Sequence, residues 1–353
     1  MNSEIAAFIE SLNPWAKNDR TIWMTNVLSL SRNLSSYHFP HKMDPETRSE
    51  VVKIISKALL AVPSFSEAKV ILSEDASAND KEFLFEHFFS RESFQQAHQG
   101  EAFVLEKSGT LLSLINVNNH LELILSQPSE EVEEPLNRLV NLEATIGKTL
   151  DYAFSPTFGF MTSNPMHCGT GFLARILLQV PALVHSDRLQ VALGRHQRDG
   201  VQVAGLTGNT QEFVGDLVIV SNSFALGLPE ERLLKRVRTL ATHLMVEEKS
   251  CRSTIKQENS EEMQDKVARA YGLLKHSFRL ETFETFNALS LLKLGLDLDW
   301  LKGVTMQQLN ELFFRIRRGH VTLIEGEEFS HEELPRRRSK IVREALNPMQ
   351  WAV

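Results

Sequence analysis

Met161-Thr-Ser-Asn-Pro-Met-His-Cys-Gly-Thr-Gly-Phe-Leu-Ala-Arg-Ile-Leu-Leu-Gln-Val-Pro-Ala-Leu-Val184 is the stretch on which the reading of the fold turns. Phe158-Gly-Phe-Met-Thr162 reads as a strand, Gly169-Thr170-Gly171 as a tight turn, and the residues after it as an amphipathic helix. A Gly-rich turn at a helix start offers backbone N–H groups to an anion, which makes it a candidate phosphate cradle. The plainer alternative is that the glycines only shape a turn. Cys168 falls at the start of that expected helix, where a thiol pKa can drop.

Working outward, residues 1–65 read as mostly helical with a short extended piece. Asp44-Pro45-Glu46 opens a helix, because Asp caps and Pro suits the first turn. Phe103-Val-Leu105, Thr110-Leu-Leu-Ser-Leu-Ile115 and His120-Leu-Glu-Leu-Ile-Leu125 read as a β-meander. Val201-Gln-Val-Ala204 and Asp216-Leu-Val-Ile-Val220 give two more strands. A helix beginning at Pro229 carries the apolar stripe Leu233, Val237, Leu240 and Leu244. The polar stretch Thr254–Met263 reads as a linker or a solvated helix start, and everything beyond it has helical periodicity. The pattern is α+β, an antiparallel sheet flanked by helices, followed by an all-α domain. The expected division is 1–256 and 257–353.

The 353 residues carry a net charge of −7, with 42% hydrophobic and 24% charged residues. That composition suits a globular protein and argues against non-specific nucleic-acid binding. No apolar run is long enough to suggest a membrane span. The first ten residues lack the basic start of a secretory signal. Cys168 and Cys251 fit no disulfide or zinc pattern, so a reducing, cytoplasmic setting is expected. His38 and His41 flank Pro40, but no further ligands stand at metal spacing.

Several anchors together resemble the bacterial protein-arginine kinases, relatives of creatine and arginine kinases in the ATP:guanidino phosphotransferase family. They are Leu30-Ser-Arg-Asn-Leu34, Phe39-Pro40, Leu150-Asp-Tyr-Ala-Phe154, Pro165 with Gly169-Thr-Gly171, Pro181-Ala-Leu-Val184, and Val220-Ser-Asn222. Glu247-Glu-Lys-Ser-Cys-Arg252, Ala270-Tyr-Gly-Leu273, Lys293-Leu-Gly-Leu-Asp297 and Asn310-Glu-Leu312 continue the series. The resemblance implies the guanidino-kinase fold, a helical C-terminal domain for dimerisation or partner binding, and transfer of phosphate from ATP to arginine. It also implies a zinc-binding activator protein and a chaperone–protease machine as partners.

Transfer to a guanidinium needs arginines around the polyphosphate and a carboxylate beside the guanidinium. Where the family has S-x-R-x-R, this chain has Val27 and Ser29. Its acid loop N-E-E-D-H is here Asn116-Val117-Asn118-Asn119-His120, and the arginine that follows is Glu122. In the signature loop Asn164 replaces a cysteine and Leu173 an arginine. The R-G-x-Y-G-E loop is Ala204-Gly205-Leu-Thr-Gly208-Asn209, and a nucleotide-facing histidine falls at Phe88. Arg32, Asn116, His120, Gly169, Thr170, Gly171, Gly205 and Gly208 remain as site architecture. A charge-assisted hydrogen bond is worth roughly 1.5–3 kcal/mol. Losing a handful removes about 7 kcal/mol, on the order of 10⁵ in affinity. Arg175, two residues past Leu173, would point to the far side of a helix.

The leading expectation is a pseudokinase that binds protein partners in a quality-control or regulatory assembly and needs no cofactor. The first alternative is an active protein-arginine kinase using ATP and Mg²⁺, with Arg175, Arg195 or Arg198 reaching the phosphates. The second is a binder of acidic partners through the basic cluster Arg336, Arg337, Arg338 and Lys340. A homodimer seam along Leu289–Leu296 is a further expectation from the resemblance. Neither a membrane nor nucleic acid is expected as a partner of the whole protein.

Overall fold

Trp23–Arg32 forms β1, ten residues that are all buried. In the computed structural model, which describes residues 19–89, 98–196, 199–325, 329–330 and 332–352, β1 lies inside an eight-stranded sheet. Its other strands are β2 (Lys69–Leu72), β3 (Ala102–Leu105), β4 (Leu111–Ile115), β5 (Leu121–Gln127), β8 (Phe172–Gln179), β9 (Val201–Ala204) and β10 (Leu217–Asn222). The order is β2-β3-β4-β5-β1-β8-β10-β9. Strands covered on both faces read as continuous apolar runs rather than alternating ones. That explains the unbroken burial of β1, β4 and β8. The expected meander is present, with β3–β4 and β4–β5 paired antiparallel.

Three expectations change here. Of residues 19–65, a ten-residue strand and a sixteen-residue helix, α1 (Pro45–Leu60), are the main elements, so helix does not dominate. The rest of the 1–65 reading, residues 1–18, lies outside the described residues. More important, Phe172–Gln179 is the buried strand β8, not a helix. Its apolar run is short, and Gly171 and Pro181 bound it, which is the signature of a buried strand. The strand before it is smaller than expected: β6 (Phe154–Ser155) and β7 (Gly159–Phe160), two residues each, pair as a short antiparallel hairpin.

By internal contacts the chain divides into two compact units. Among described residues, one comprises 26–175 and 221–237, and the other 19–25, 176–220 and 238–352. In the first, Asp44 caps α1 by accepting from the Thr47 backbone N–H at 2.9 Å. Ser77 and Asp80 form a capping box on α2 (Ala78–His87). Helix α3 (Glu133–Ile146) buries Leu136, Leu139, Leu142 and Ile146.

The second unit is largely helical. It holds α4 (Pro181–His185), α5 (Leu189–His196), most of α6 (Glu230–Glu258), α7 (Glu261–His276), α8 (Thr282–Asp297), α9 (Met306–Arg315), α10 (Arg318–Glu325) and α11 (Leu334–Ala345). The stripe Leu233, Val237, Leu240 and Leu244 on α6 is buried as its spacing predicts. The polar stretch after it is helical to Glu258, and Ser260 then caps α7. No described helix is long and apolar enough to cross a membrane.

A buried ionic cluster joins the helices of this unit. Glu248 accepts from the Ala182 and Leu183 backbone N–H groups at 3.1 and 2.9 Å. Arg252 donates to Glu248 at 2.7 Å and to Asp297 at 3.0 Å. Burial pushes the Glu248 carboxyl pKa up, and Arg252 opposes it. Lys293 on α8 is 2% exposed, and its Nζ donates to the Gln179 side chain. Burial lowers its pKa well below the ordinary lysine value.

Removing one member of a buried pair strands the other. Arg252→Ala is therefore expected to cost about 3–5 kcal/mol in urea denaturation. Lys256→Ala, which breaks the exposed Lys256–Asp299 pair, should cost less than about 1 kcal/mol.

Candidate functional site

The Gly-Thr-Gly turn is built by packing. Gly171 has φ +65, and a Cβ there would lie 2.5 Å from the Ser31 carbonyl oxygen. Gly169 has φ +108, and its Cβ would meet Ala225 and Leu226 backbone atoms at 2.8 Å. The N–H groups of Gly169 and Gly171 donate to Phe160 and His167 carbonyls at 3.2 and 3.1 Å. The Phe172 N–H donates to Thr170 Oγ1. The expected cradle of free N–H groups at a helix start is corrected on both counts: a strand follows, and these donors are used. Cys168 accordingly stands at no helix N-terminus; it closes the short 3-10 turn Pro165–His167 and is buried against Thr162.

Arg32 supports the turn from beneath. Its Nη1 donates to the carbonyls of Ser31 and Thr170, both at 2.8 Å, and its Nε to Glu143 at 2.8 Å. Its guanidinium lies 3.6 Å from the Phe160 ring centroid. At 2% exposure, Arg32 is structural.

Next to the turn lies a cleft of about 410 Å³ lined by Ser29, Ser31, Asn118, Asn119, Glu122, Ser163, Asn164, His167, Leu173 and Arg175. The strand register explains the gathering. Alternate residues share a sheet face, and Ser29 and Ser31 stand opposite Ile124 and Glu122 of β5. Leu173 and Arg175 share a face of β8 for the same reason. The expectation that Arg175 points away from Leu173 is therefore overturned: both line the cleft. Arg175 Nη1 donates to the Phe89 carbonyl.

Six of the positions singled out from sequence thus meet in one place: Ser29, Asn118, Asn119, Glu122, Asn164 and Leu173. Val27 is fully buried and is absent from the lining. Ser31, Ser163 and His167 were missed. Ser31 was detectable from its spacing of two residues after Ser29.

The hairpin Asn116–His120 is held by its own polar groups. Asn116 adopts φ 60, and its amide donates to the Arg48 and Gly100 carbonyls, both at 2.9 Å. Asn119 Oδ1 accepts from Asn33 Nδ2 and the Ser163 N–H, both at 2.8 Å. His120 Nδ1 accepts from the Leu34 N–H at 2.9 Å, and Nε2 lies 2.9 Å from the His38 carbonyl. This pairing fixes a neutral imidazole with its proton on Nε2. Burial lowers the His120 pKa from 6.5 to about 4. Val117 is half-buried in the same hairpin.

The remaining candidates lie apart from that lining. In the second unit, Gly205 donates to the Asn209 carbonyl at 2.7 Å and Gly208 to that of Gly205 at 3.0 Å, so Ala204–Asn209 is a closed turn. Arg195 pairs with Glu247 at 3.4 Å, and Arg198 lies outside the described residues. Phe88 is fully buried at the end of α2. The basic cluster on α11 is smaller than its sequence suggested. Arg338 is 3% exposed and donates to the Ile316 and Leu280 carbonyls, both at 2.7 Å, so it is not available to a partner. Arg337 pairs with Glu325 at 3.3 Å. Arg336 and Lys340 are exposed.

Comparison with known proteins agrees with this architecture. The fold is that of guanidino kinases. The duplicated taurocyamine kinase from Schistosoma mansoni, with bound transition state analog components, aligns with TM-score 0.57 and 22% identity over 65% of this chain and 33% of that one. Lombricine kinase aligns with TM-score 0.57 and 17% identity over 66% of this chain and 68% of that one. Residues 50–251 match the model of the ATP:guanido phosphotransferase C-terminal catalytic domain. Residues 260–352 match that of the protein-arginine kinase McsB C-terminal domain. The protein-arginine kinase of Chlamydia pneumoniae is 35% identical over 88% of this chain and 87% of its own length. That of Halothermothrix orenii is 27% identical over 98% of both. The chain belongs to the ATP:guanido phosphotransferase family, in its protein-arginine kinase branch.

Gly171→Ala is expected to destabilise the protein by at least about 2 kcal/mol, read by denaturant midpoint, since it forces a left-handed alanine into a carbonyl. His120 sets a pH dependence. Its folded pKa lies below the unfolded value, so the unfolded chain takes the proton first as pH falls. Its contribution is complete above about pH 6.5 and is lost toward about pH 4, up to about 3 kcal/mol. His120→Gln should flatten the stability profile across that window.

Proposed function

We propose that this protein is a pseudokinase: a protein-arginine kinase scaffold that works by binding. The cleft lining carries the reading. Where the family resemblance puts phosphate-holding arginines, Ser29 and Leu173 line the cleft, Val27 is buried, and Glu122 adds a negative charge. A triphosphate needs several fixed cations, because its charge must be neutralised out of water. One guanidinium among the lining residues, set against one carboxylate, does not fit ATP with Mg²⁺, so no transfer step is assigned to this chain's residues. Binding then takes over from chemistry, with residues 1–256 as the catalytic-type domain and 257–353 as a helical domain for partners or self-association. A cytoplasmic role in protein quality control, alongside a zinc-binding activator and a chaperone–protease machine, follows from the family resemblance.

One observation favours an active enzyme. Arg175 shares a strand face with Leu173 and reaches the cleft, so a displaced arginine can supply one phosphate contact. A single contact worth roughly 1.5–3 kcal/mol does not replace a clamp.

Isothermal titration with ATP and Mg²⁺ decides between the two. The pseudokinase should give no saturable binding up to millimolar nucleotide, and no acid-labile phosphate on arginine in a protein substrate. Saturable binding with phosphoarginine formation would overturn the reading.

A further inference from the structure

Three adjacent strands end in a row of buried polar side chains. β2 and β3 pair Leu72 with Ala102, and β3 and β4 pair Ala102 with Ile115. Residues directly opposite on neighbouring strands share a sheet face. One step further along, this register brings Ser73, Glu101 and Asn116 side by side. The Ser73 N–H donates to the Glu101 carbonyl, and the Asn116 amide to the Gly100 carbonyl, both at 2.9 Å. The three residues are 1%, 4% and 0% exposed. Each holds one polar atom with no hydrogen-bond partner among the described residues: Ser73 Oγ, Glu101 Oε2 and Asn116 Oδ1. Buried polar atoms are costly when unsatisfied, so this row calls for a hydrogen that an ionised glutamate does not supply.

Asn116 has one orientation. Its NH₂ group is spent on the Arg48 and Gly100 carbonyls, so Oδ1 remains as an acceptor. A carboxylate beside it only accepts, whereas a carboxylic acid carries one hydroxyl donor. A metal ion fits poorly, because positive charge already faces Glu101 from the elements around it. Arg48 Nη1, on α1, lies 3.5 Å from Glu101 Oε1. Lys81 on α2 and His98 ahead of β3 act in the same sense. On the hairpin side His120 is held neutral, and β2 contributes the uncharged Ser73. Burial nevertheless outweighs these cations and raises the Glu101 carboxyl above the ordinary glutamate pKa.

We propose that Glu101 takes up a proton on Oε2 and donates it to Asn116 Oδ1, forming a proton-operated latch beneath the cleft hairpin. Asn116, at φ 60, is the bend at which β4 enters the Asn116–His120 hairpin. That hairpin places Asn118 and Asn119 in the cleft lining. When the proton leaves to solvent, a carboxylate oxygen and an amide oxygen face each other with no hydrogen between them, and the bend loosens. Arg48 keeps the carboxylate in place. Because the folded pKa lies above the unfolded one, the latch contributes fully below about pH 4.5 and is lost as pH rises through the folded value. His120 acts in the opposite sense, adding stability up to about pH 6.5. A loosening with rising pH therefore cannot come from His120. The latch belongs to the hairpin itself and holds whether or not the cleft binds nucleotide.

The test uses the full chain and hydrogen exchange corrected for the intrinsic pH dependence of amide chemistry. Protection across residues 115–122 should fall about three- to tenfold between about pH 5 and about pH 8 in the wild-type protein. Glu101→Gln offers a permanent N–H donor of the same shape and should keep that protection flat over the same range. A ¹³C-carboxyl titration should show Glu101 ionising above the ordinary glutamate range, in step with the loss of protection. Ionisation at the ordinary value, wild-type protection that does not change with pH, or a pH-dependent hairpin in Glu101→Gln would each overturn the proposal. So would protection that drops when Na⁺ and K⁺ are replaced by choline at fixed ionic strength, since that outcome puts a cation in the row. The wild-type exchange profile decides the matter without the variant, should Glu101→Gln fail to fold.

Discussion

Arg32 is the interaction on which the signature loop depends. One buried guanidinium holds the Ser31 and Thr170 carbonyls, the Glu143 carboxylate and the Phe160 ring. A planar fork of fixed donors suits such a junction, and a lysine would not replace it. The cost of burying the charge is met by a carboxylate and two carbonyls together. With that junction in place the Gly-Thr-Gly turn has one shape, and the cleft beside it keeps its wall.

The structure separates two kinds of residue that a family signature mixes. Gly169, Gly171, Arg32, Asn116 and His120 are bound into the fold, and each has steric or hydrogen-bonding reasons to stay. Ser29, Glu122 and Leu173 face the cleft, where nothing in the packing dictates arginine. A protein can therefore keep the first set while the second drifts or is put to another use. The cleft lining mixes serine and asparagine side chains with Arg175 and Glu122, so hydrogen-bond pattern as well as charge is available for recognition.

Much of this was legible in the sequence. The meander, the α1 cap and the α6 stripe follow from local signals that the tertiary structure respects. The site positions were legible because the departures from the family pattern fall at residues which strand alternation brings together. The error lay at Phe172–Gln179. A short apolar run lacks the polar face that tells helix from strand, and Arg175 interrupts it in a way that mimics amphipathicity. That single misreading reversed the direction of Arg175. Burial of Arg338 was hidden for a related reason: a cluster of arginines looks solvated until the carbonyls it serves are known.

The buried state of Val27 limits which side chains β1 accepts there. Its side chain has no exposure, so an arginine placed there would enter a packed interior and lose its hydration before any phosphate arrived to reward it. Arg175 and Glu122 now line the neighbouring cleft. An arginine at position 29 or 173 would instead open onto the cleft, so the cost of adding positive charge to this sheet depends on which strand position receives it.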